Sequence, residues 1–257
     1  MKTYTNQKSP LLLRLCGLFL VTTSFSSCLH MYYSPNSSNV PLFKEKGEGR
    51  FNAYYSGGNE ITGAELQGAA AVGKHTGIIF NTAFLGDSYD YGDGTKDDGN
   101  GFLVEGGAGY FDEVAKNVVF ETYGGLGVGG ATNNYYDGGS SKVGLTKFFI
   151  QPSIGYSVRN VDFGIASKMS AVFMKVNNAS GMSDFNKYDI NYIKDNPTSF
   201  LWEPSVFVRF GFPAVKLQLQ YTPSFNLNNK ELSQEVNFLS MGLSFSIPAK
   251  KNAAKEK

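Results

Sequence analysis

Val215-Lys216-Leu217-Gln218-Leu219-Gln220-Tyr221-Thr222-Pro223-Ser224-Phe225-Asn226-Leu227 is the stretch whose reading decides the fold. Every odd position in it is apolar, aromatic or proline, and every even position from Lys216 to Asn226 is polar. A period of two over this length gives a β-strand with two unlike faces. The alternation returns further on, where Leu239, Met241, Leu243, Phe245 and Ile247 interleave with Ser240, Gly242, Ser244 and Ser246. Whether the apolar face meets a protein core or lipid decides what the molecule does.

Carried outward, the same template finds about ten segments. They lie near 47 to 56, 63 to 73, 75 to 87, 101 to 112, 117 to 130, 145 to 158, 161 to 175, 200 to 211, 214 to 227 and 235 to 247. The connections after the second, fourth, sixth and eighth are tight: Gly73-Lys74-His75, Asp112 to Lys116, Arg159-Asn160 and Phe212-Pro213. Longer polar loops stand around 88 to 100, 131 to 144, 176 to 199 and 228 to 234, with a modest one at 57 to 62. Short on one side and long on the other is the signature of an antiparallel meander crossing an outer membrane, with tight periplasmic turns and long external loops. A soluble Greek-key sandwich has no such requirement. An even strand number puts both termini on the same side, and with the signal and lipid anchor at one end that side reads as the periplasm, so periplasmic anchoring is the expectation.

The 257 residues suit one all-β unit. A net charge of +1, with no stripe of Lys and Arg, leaves no footprint for nucleic acid. No run of eighteen apolar residues lies outside the leader, which excludes a helical span but not a barrel, whose apolar residues are only every second one. Lys2, Lys8 and Arg14, then Leu15 to Val21, then Ser24-Phe25-Ser26-Ser27 read as an export signal over 1–27. With Cys16 inside that leader, Cys28 is the one cysteine of the mature chain, so no disulfide forms within it. The remaining divisions are a tether or plug over 28–46, a barrel domain over 47–248 and a Lys-rich tail over 249–257.

The residues just before Cys28 resemble the lipobox of bacterial lipoproteins, although Phe25 stands where such motifs usually carry Leu. The resemblance implies an acylated Cys28 as first residue of the mature protein. In the last strand, Ser240, Gly242, Phe245 and Ile247 resemble the C-terminal signal read by barrel-assembly machinery, here followed by a ten-residue tail. Together with the leader and the alternating loops, these features resemble the outer-membrane β-barrel proteins of Gram-negative bacteria. That resemblance implies an all-β, antiparallel up-and-down transmembrane barrel of about ten strands, anchored by an N-terminal lipid and contacting outer-membrane lipid and the assembly machinery.

If the apolar face meets lipid, strand charges must point into the lumen, since Arg or Lys at mid-bilayer on the lipid face costs about 2–4 kcal/mol. Arg50, Glu65, Glu105, Glu121, Lys147, Lys168, Glu203, Arg209 and Lys216 all take the parity opposite to their strand's apolar series. Lys175 breaks the rule at a strand end, where a long side chain snorkels. Nearly balanced acids and bases form either a polar network that fills the barrel or a charged constriction in a channel. Eight strands leave an interior that side chains just fill, and ten lie near that closed end. Gln151-Pro152-Ser153, Glu203-Pro204-Ser205 and Thr222-Pro223-Ser224 repeat an element that marks a bulge or an interruption of pairing.

Chemistry is sparse. The two histidines, His30 beside the acylation site and His75 in a tight turn, are not placed for surface catalysis, and Glu105 with Glu121 reads as part of a salt-bridge system. The acidic segment with Asp87, Asp90, Asp93, Asp97 and Asp98 lacks the order of a calcium loop, so no metal or cofactor is expected. Its tyrosines, with Tyr135, Tyr136, Tyr188 and Tyr192, suit membrane-interface or partner contact. The segment Leu29 to Lys46, with Tyr32, Tyr33, Pro35, Pro41, Leu42 and Phe43, lacks strand alternation and reads as a tether, or as a plug in the lumen or at the rim. The expected role is structural, interactive or that of a narrow channel, with a small solute or a surface partner reached through the long loops. Two rivals stand beside it. A soluble periplasmic lipoprotein barrel binding an apolar ligand needs apolar side chains inside. An outer-membrane enzyme acting on lipid or peptide needs a polar catalytic cluster near the external rim.

Overall fold

A computed structural model describes residues 30–250. The strands are β1 (Gly49–Gly57), β2 (Thr62–Ala71), β3 (Thr76–Asp90), β4 (Lys96–Ala115), β5 (Val118–Asn134), β6 (Ser140–Ser157), β7 (Val161–Ser180), β8 (Thr198–Gly211), β9 (Val215–Pro223), β10 (Phe225–Asn226) and β11 (Asn237–Ile247). One helix, α1 (Asp184–Asp195), stands between β7 and β8. Each strand pairs antiparallel with its neighbours, and β11 closes the sheet by pairing with both β9 and β1. Counting β9 and β10 as one interrupted strand, the wall is a closed up-and-down barrel of ten.

The alternation builds the wall's two faces. Phe51, Tyr55, Phe80, Phe84, Phe148, Ile150, Ile154, Val206, Phe210, Leu239 and Met241 are exposed on the outside, while the nine charges named from parity are all buried within. This is the reverse of the polarity a soluble barrel with an apolar interior requires. On β4 the outward positions from Phe102 to Tyr110 are apolar or glycine, bounded by Asn100 above and Asp112 below. That nine-residue band matches the 9–11 residues a tilted strand needs to cross a bilayer. Lys175 is exposed near the upper end of β7.

The tight turns, 72–75, 116–117, 158–160 and 212–214, share one rim. At the other rim the connections are shorter than expected, because hairpin pairing continues beyond the apolar band. Asp90 pairs with Lys96 and Asn134 with Ser140, so the expected loops 88 to 100 and 131 to 144 shrink to turns at 91–95 and 135–139. The expected loop 176 to 199 holds α1, capped by Ser183, whose hydroxyl accepts from the Asn186 amide at 3.4 Å. Asn186, Ile190 and Ile193 form the buried stripe of that helix, spaced four and three residues apart.

The three Pro-Ser elements are gaps in the ladder, not bulges. The β6–β7 ladder stops at Ile150↔Met169 and resumes at Ser153↔Ala166 in the same register. The β8–β9 ladder ends at Val206↔Tyr221, and pairing resumes in register at Trp202↔Phe225. Proline lacks the N–H that a rung needs. The register shifts that do occur lie at Glu113/Ala115 and Lys142/Val143. The glycine pairs that parity could not phase leave room inside: a Cβ on Gly125 would lie 2.7 Å from the ring of Phe149, which points inward and is buried.

Candidate functional site

The lumen is occupied by the chain's own amino-terminal segment. Residues 35 to 43 are buried without a break, and the segment forms no strand of the wall. Many of its polar groups are met by the wall along the barrel. Tyr33 donates its hydroxyl proton to Glu203 Oε1 at 2.6 Å, and Asn36 Nδ2 donates to Glu105 Oε2 at 2.7 Å. Ser37 gives both its backbone N–H and its hydroxyl to Glu65, at 2.8 and 2.9 Å, and also bonds to Ser240. Asn39 Nδ2 donates to Asn81 at 2.9 Å, and Gln151 Nε2 donates to the Asn39 carbonyl at 2.9 Å. Arg209 donates to the Val40 carbonyl at 2.8 Å. The amides of Leu42 and Phe43 both donate to the Glu121 carboxylate at 3.0 Å. Leu42 takes the left-handed conformation, with φ of 57°, which sets two successive amides against one anion.

Strand charges form two clusters around this segment. In the first, Lys147 Nζ lies 3.1 Å from Glu105 and 3.2 Å from Glu203, and Lys168 Nζ lies 3.6 Å from Glu105. Lys147 also donates to the Tyr33 hydroxyl at 2.8 Å, and Lys168 to Asn36 Oδ1 at 3.0 Å. In the second, Asp162 gathers Lys216 at 2.6 Å, Arg50 at 3.4 Å and Arg209 at 3.9 Å. Sequence reasoning missed Asp162, although it shares the inward parity of Lys168 on β7; its place one residue after a turn concealed it. Glu65 and Glu121 belong to neither cluster and form no ion pair within 4 Å among the described residues, where the amino-terminal segment is the principal donor to both.

Apolar packing closes the mouth at the rim of the longer connections. Ile190 and Ile193 of α1 join Tyr32, Tyr33, Tyr135, Val143, Val172, Met174, Met182, Leu201 and Leu232 in one buried cluster. Tyr135 was expected to face an interface; instead it is buried here, with its hydroxyl 2.6 Å from that of Tyr32, while Tyr136 and Tyr188 are exposed. Beside the cluster lies a cavity of about 70 Å³, lined in part by His30, Ile61, Leu85, Asp97 and Leu103. Outside the membrane band, burial pushes the Asp189 carboxyl up. Burial also acts on Asp137, but the amides of Gly139 and Ser183 and the side chains of Ser183 and Asn186 outweigh it and hold its carboxyl below the usual range.

His30 is at this mouth, not remote from it. Its Nε2 stands 3.6 Å from Asp97 and makes no hydrogen bond among the described residues, and its ring lies 4.3 Å from that of Tyr135. His75 stays at the tight-turn rim, stacked on Tyr110. The acidic residues do not converge: Asp87 and Asp90 lie on β3, Asp97 and Asp98 on β4, and Asp93 in the turn, where it accepts from Thr95. Among the described residues no group of three or more His, Cys, Asp or Glu is placed to hold a metal, and no helix is long and apolar enough to cross a membrane. On β11, Ser240 is buried inside, whereas Ile247 is exposed outside beside Gly49 of β1. The signal at 1–27, Cys28 and residues 251–257 of the tail lie outside the described residues.

No protein-family model matches the chain, and no curated protein matches its sequence. Solved structures with a similar fold include Ail, the attachment invasion locus protein of Yersinia pestis, at 12% identity and a TM-score of 0.36, over 79% of this chain and 99% of that one. The outer membrane protease OmpT of Escherichia coli is similar at 11% identity and 0.42, over 82% and 99%. The NanC porin follows at 10% identity and 0.35, over 77% and 98%. These likenesses are too distant to bear on activity, substrate or partner.

Proposed function

We propose that this protein is a lipid-anchored outer-membrane β-barrel whose lumen is sealed by its own amino-terminal segment, and that it acts as a structural and interaction platform rather than as an open pore or an enzyme. The observation that carries this reading is the run of hydrogen bonds that ties Tyr33, Asn36, Ser37, Asn39, Val40, Leu42 and Phe43 to the wall along the lumen. A passage wide enough for a solute needs an unobstructed axis, and here the axis is filled by main chain. The apolar outer band supports insertion in a bilayer. The export leader supports delivery across the inner membrane, and the residues before Cys28 support acylation there. Exposed Tyr136, Phe185 and Tyr188 around the sealed mouth supply a surface for a partner. His30 and Asp97 are the nearest approach to a catalytic pair, but among the described residues no serine or threonine hydroxyl is bonded to Nε2 to serve as a nucleophile.

Planar-bilayer recording tests the seal. The full chain should show no steady conductance, and deletion of residues 32 to 43 should produce discrete conducting steps, because Glu65 and Glu121 lose their donors and water replaces the segment. Steady conductance by the intact protein would defeat the sealed-platform reading and favour a channel. An unchanged silent trace from the deletion, in a barrel that still shows heat-dependent gel mobility, would show that the segment is not the seal.

A further inference from the structure

The segment in the lumen has a direction, and the direction fixes where the chain begins. Its first described residue, His30, contacts Asp97 and Tyr135, which belong to the hairpins of the long-connection rim. Tyr32 is held at the same rim by Tyr135 and by its own amide, which donates to the Ser233 carbonyl at 2.9 Å. Lys44 is at the opposite rim, where its Nζ donates to the Ser157 carbonyl at 3.1 Å beside the tight turn that follows β6. The chain therefore enters the barrel at the long-connection rim, descends through the lumen and emerges at the tight-turn rim, where β1 starts. Both ends of the wall lie there too, since Gly49 pairs with Ile247.

In an outer-membrane barrel the tight turns face the periplasm. We infer that the amino terminus of the mature chain is held at the external rim, so that acyl groups on Cys28 insert in the outer leaflet and the protein is anchored from the cell surface. This inference rests on the lipid-anchored reading above. Cys28 precedes His30 by two residues, a reach of at most about 7 Å. The apolar band of a barrel is about 25 Å tall. Acyl chains tied so close to the external rim cannot enter the periplasmic leaflet without pulling the segment out of the lumen. Withdrawal would take one donor each from Glu203 and Glu105 and the principal donors from Glu65 and Glu121. Anchor and seal are thus one device: the lipid holds the segment at the top, and the covalent continuation into β1 holds it at the bottom.

An epitope followed by a protease site, inserted between Leu29 and His30 of the full chain in Gram-negative cells fed an alkyne fatty acid, tests the inference. Lipid label should appear on the chain and be lost in a Cys28→Ala variant. Protease added to intact cells should then separate both label and epitope from a barrel that keeps its heat-dependent gel mobility. Retention of both on intact cells, with loss only after the outer membrane is permeabilised, would overturn the inference. Absence of label from the chain would defeat the lipid-anchored reading on which it rests, and cleavage of the epitope on intact cells would then still report the direction of threading. Should the insertion block folding, Met31→Cys in the Cys28→Ala background gives the same answer with an impermeant maleimide. Reaction on intact cells is expected, and reaction only after permeabilisation overturns the inference.

Discussion

Lys147 touches no solvent and stands between two carboxylates, Glu105 at 3.1 Å and Glu203 at 3.2 Å, with the Tyr33 hydroxyl as a third partner. Removing one member of a buried ion pair leaves the others uncompensated, at a cost of about 3–5 kcal/mol. Lys147→Met should therefore lower the unfolding free energy of the barrel in detergent by that amount, seen as a lower guanidinium midpoint read from the heat-resistant gel species at each concentration. Tyr33→Phe removes a hydroxyl that donates to Glu203 and accepts from Lys147 while keeping the ring, and should cost about 1.5–3 kcal/mol, the range for hydrogen bonds to charged groups. If the two losses in the double variant add to less than their sum, Tyr33 belongs to the network rather than merely lying beside it. Lys147 was legible because a strand's period of two assigns each charge a face. Tyr33 was not, because residues 30 to 46 follow no period, and nothing in such a stretch says which carboxylate its donors will meet.

At the scale of elements, the external end depends on α1, and α1 depends on Asp137. The Asp137 carboxylate accepts from the Gly139 amide at 3.0 Å, the Ser183 amide at 2.7 Å and Asn186 Nδ2 at 3.2 Å, joining the β5–β6 turn to the start of the helix. Loss of a comparable cap costs about 1 kcal/mol. Asp137→Ala should thus speed hydrogen exchange in 183 to 190 by roughly fivefold and leave the strand amides unchanged. Because the folded carboxyl titrates below its unfolded value, the stabilisation is complete above the unfolded value, near 3.8, and is lost as pH falls through the lower folded one. Protection of the α1 amides in the native chain, taken against intrinsic exchange at the same pH, should therefore fall below about pH 4, and the variant should lack that fall. The ten wall segments were legible, their outer ends less so. Asp, Asn, Gly and Ser between 87 and 100 read as loop, yet Asp87↔Gly99 and Tyr89↔Asp97 are paired, because a hairpin clear of the membrane continues pairing without an apolar face. The helix did leave a signal, Ser183 as cap and Ile190 with Ile193 three apart, but a search for alternation passes over it.

For the whole molecule, one question separates a membrane barrel from a soluble one: what solvent surrounds the wall. Ile150 is midway along the outward band of β6 between Phe148 and Ile154, and is about half exposed. In water, Ile150→Arg would be nearly neutral, within about 0.5 kcal/mol, as at most exposed positions. In a bilayer the same change places a guanidinium near the midplane, at about 2–4 kcal/mol. Arginine at Tyr136, in the external turn, should cost about 0–1 kcal/mol in either setting. Folding each variant into lipid vesicles and titrating with denaturant should therefore show a large loss for Ile150→Arg and almost none for Tyr136→Arg. Equal small losses would place the outer face in water. The inside of the wall makes that outcome hard to accommodate, since five acids and five bases, Asp162 among them, are buried in the lumen. A water-soluble wall would thus be polar within and apolar without, leaving its hydrophobic residues nowhere to go. The same inversion explains why the amino-terminal segment is needed. Wall side chains such as Ile79, Tyr123 and Phe149 make only small apolar clusters inside, and between them the backbone amides and polar side chains of residues 33 to 43 supply hydrogen-bond partners to the buried charges.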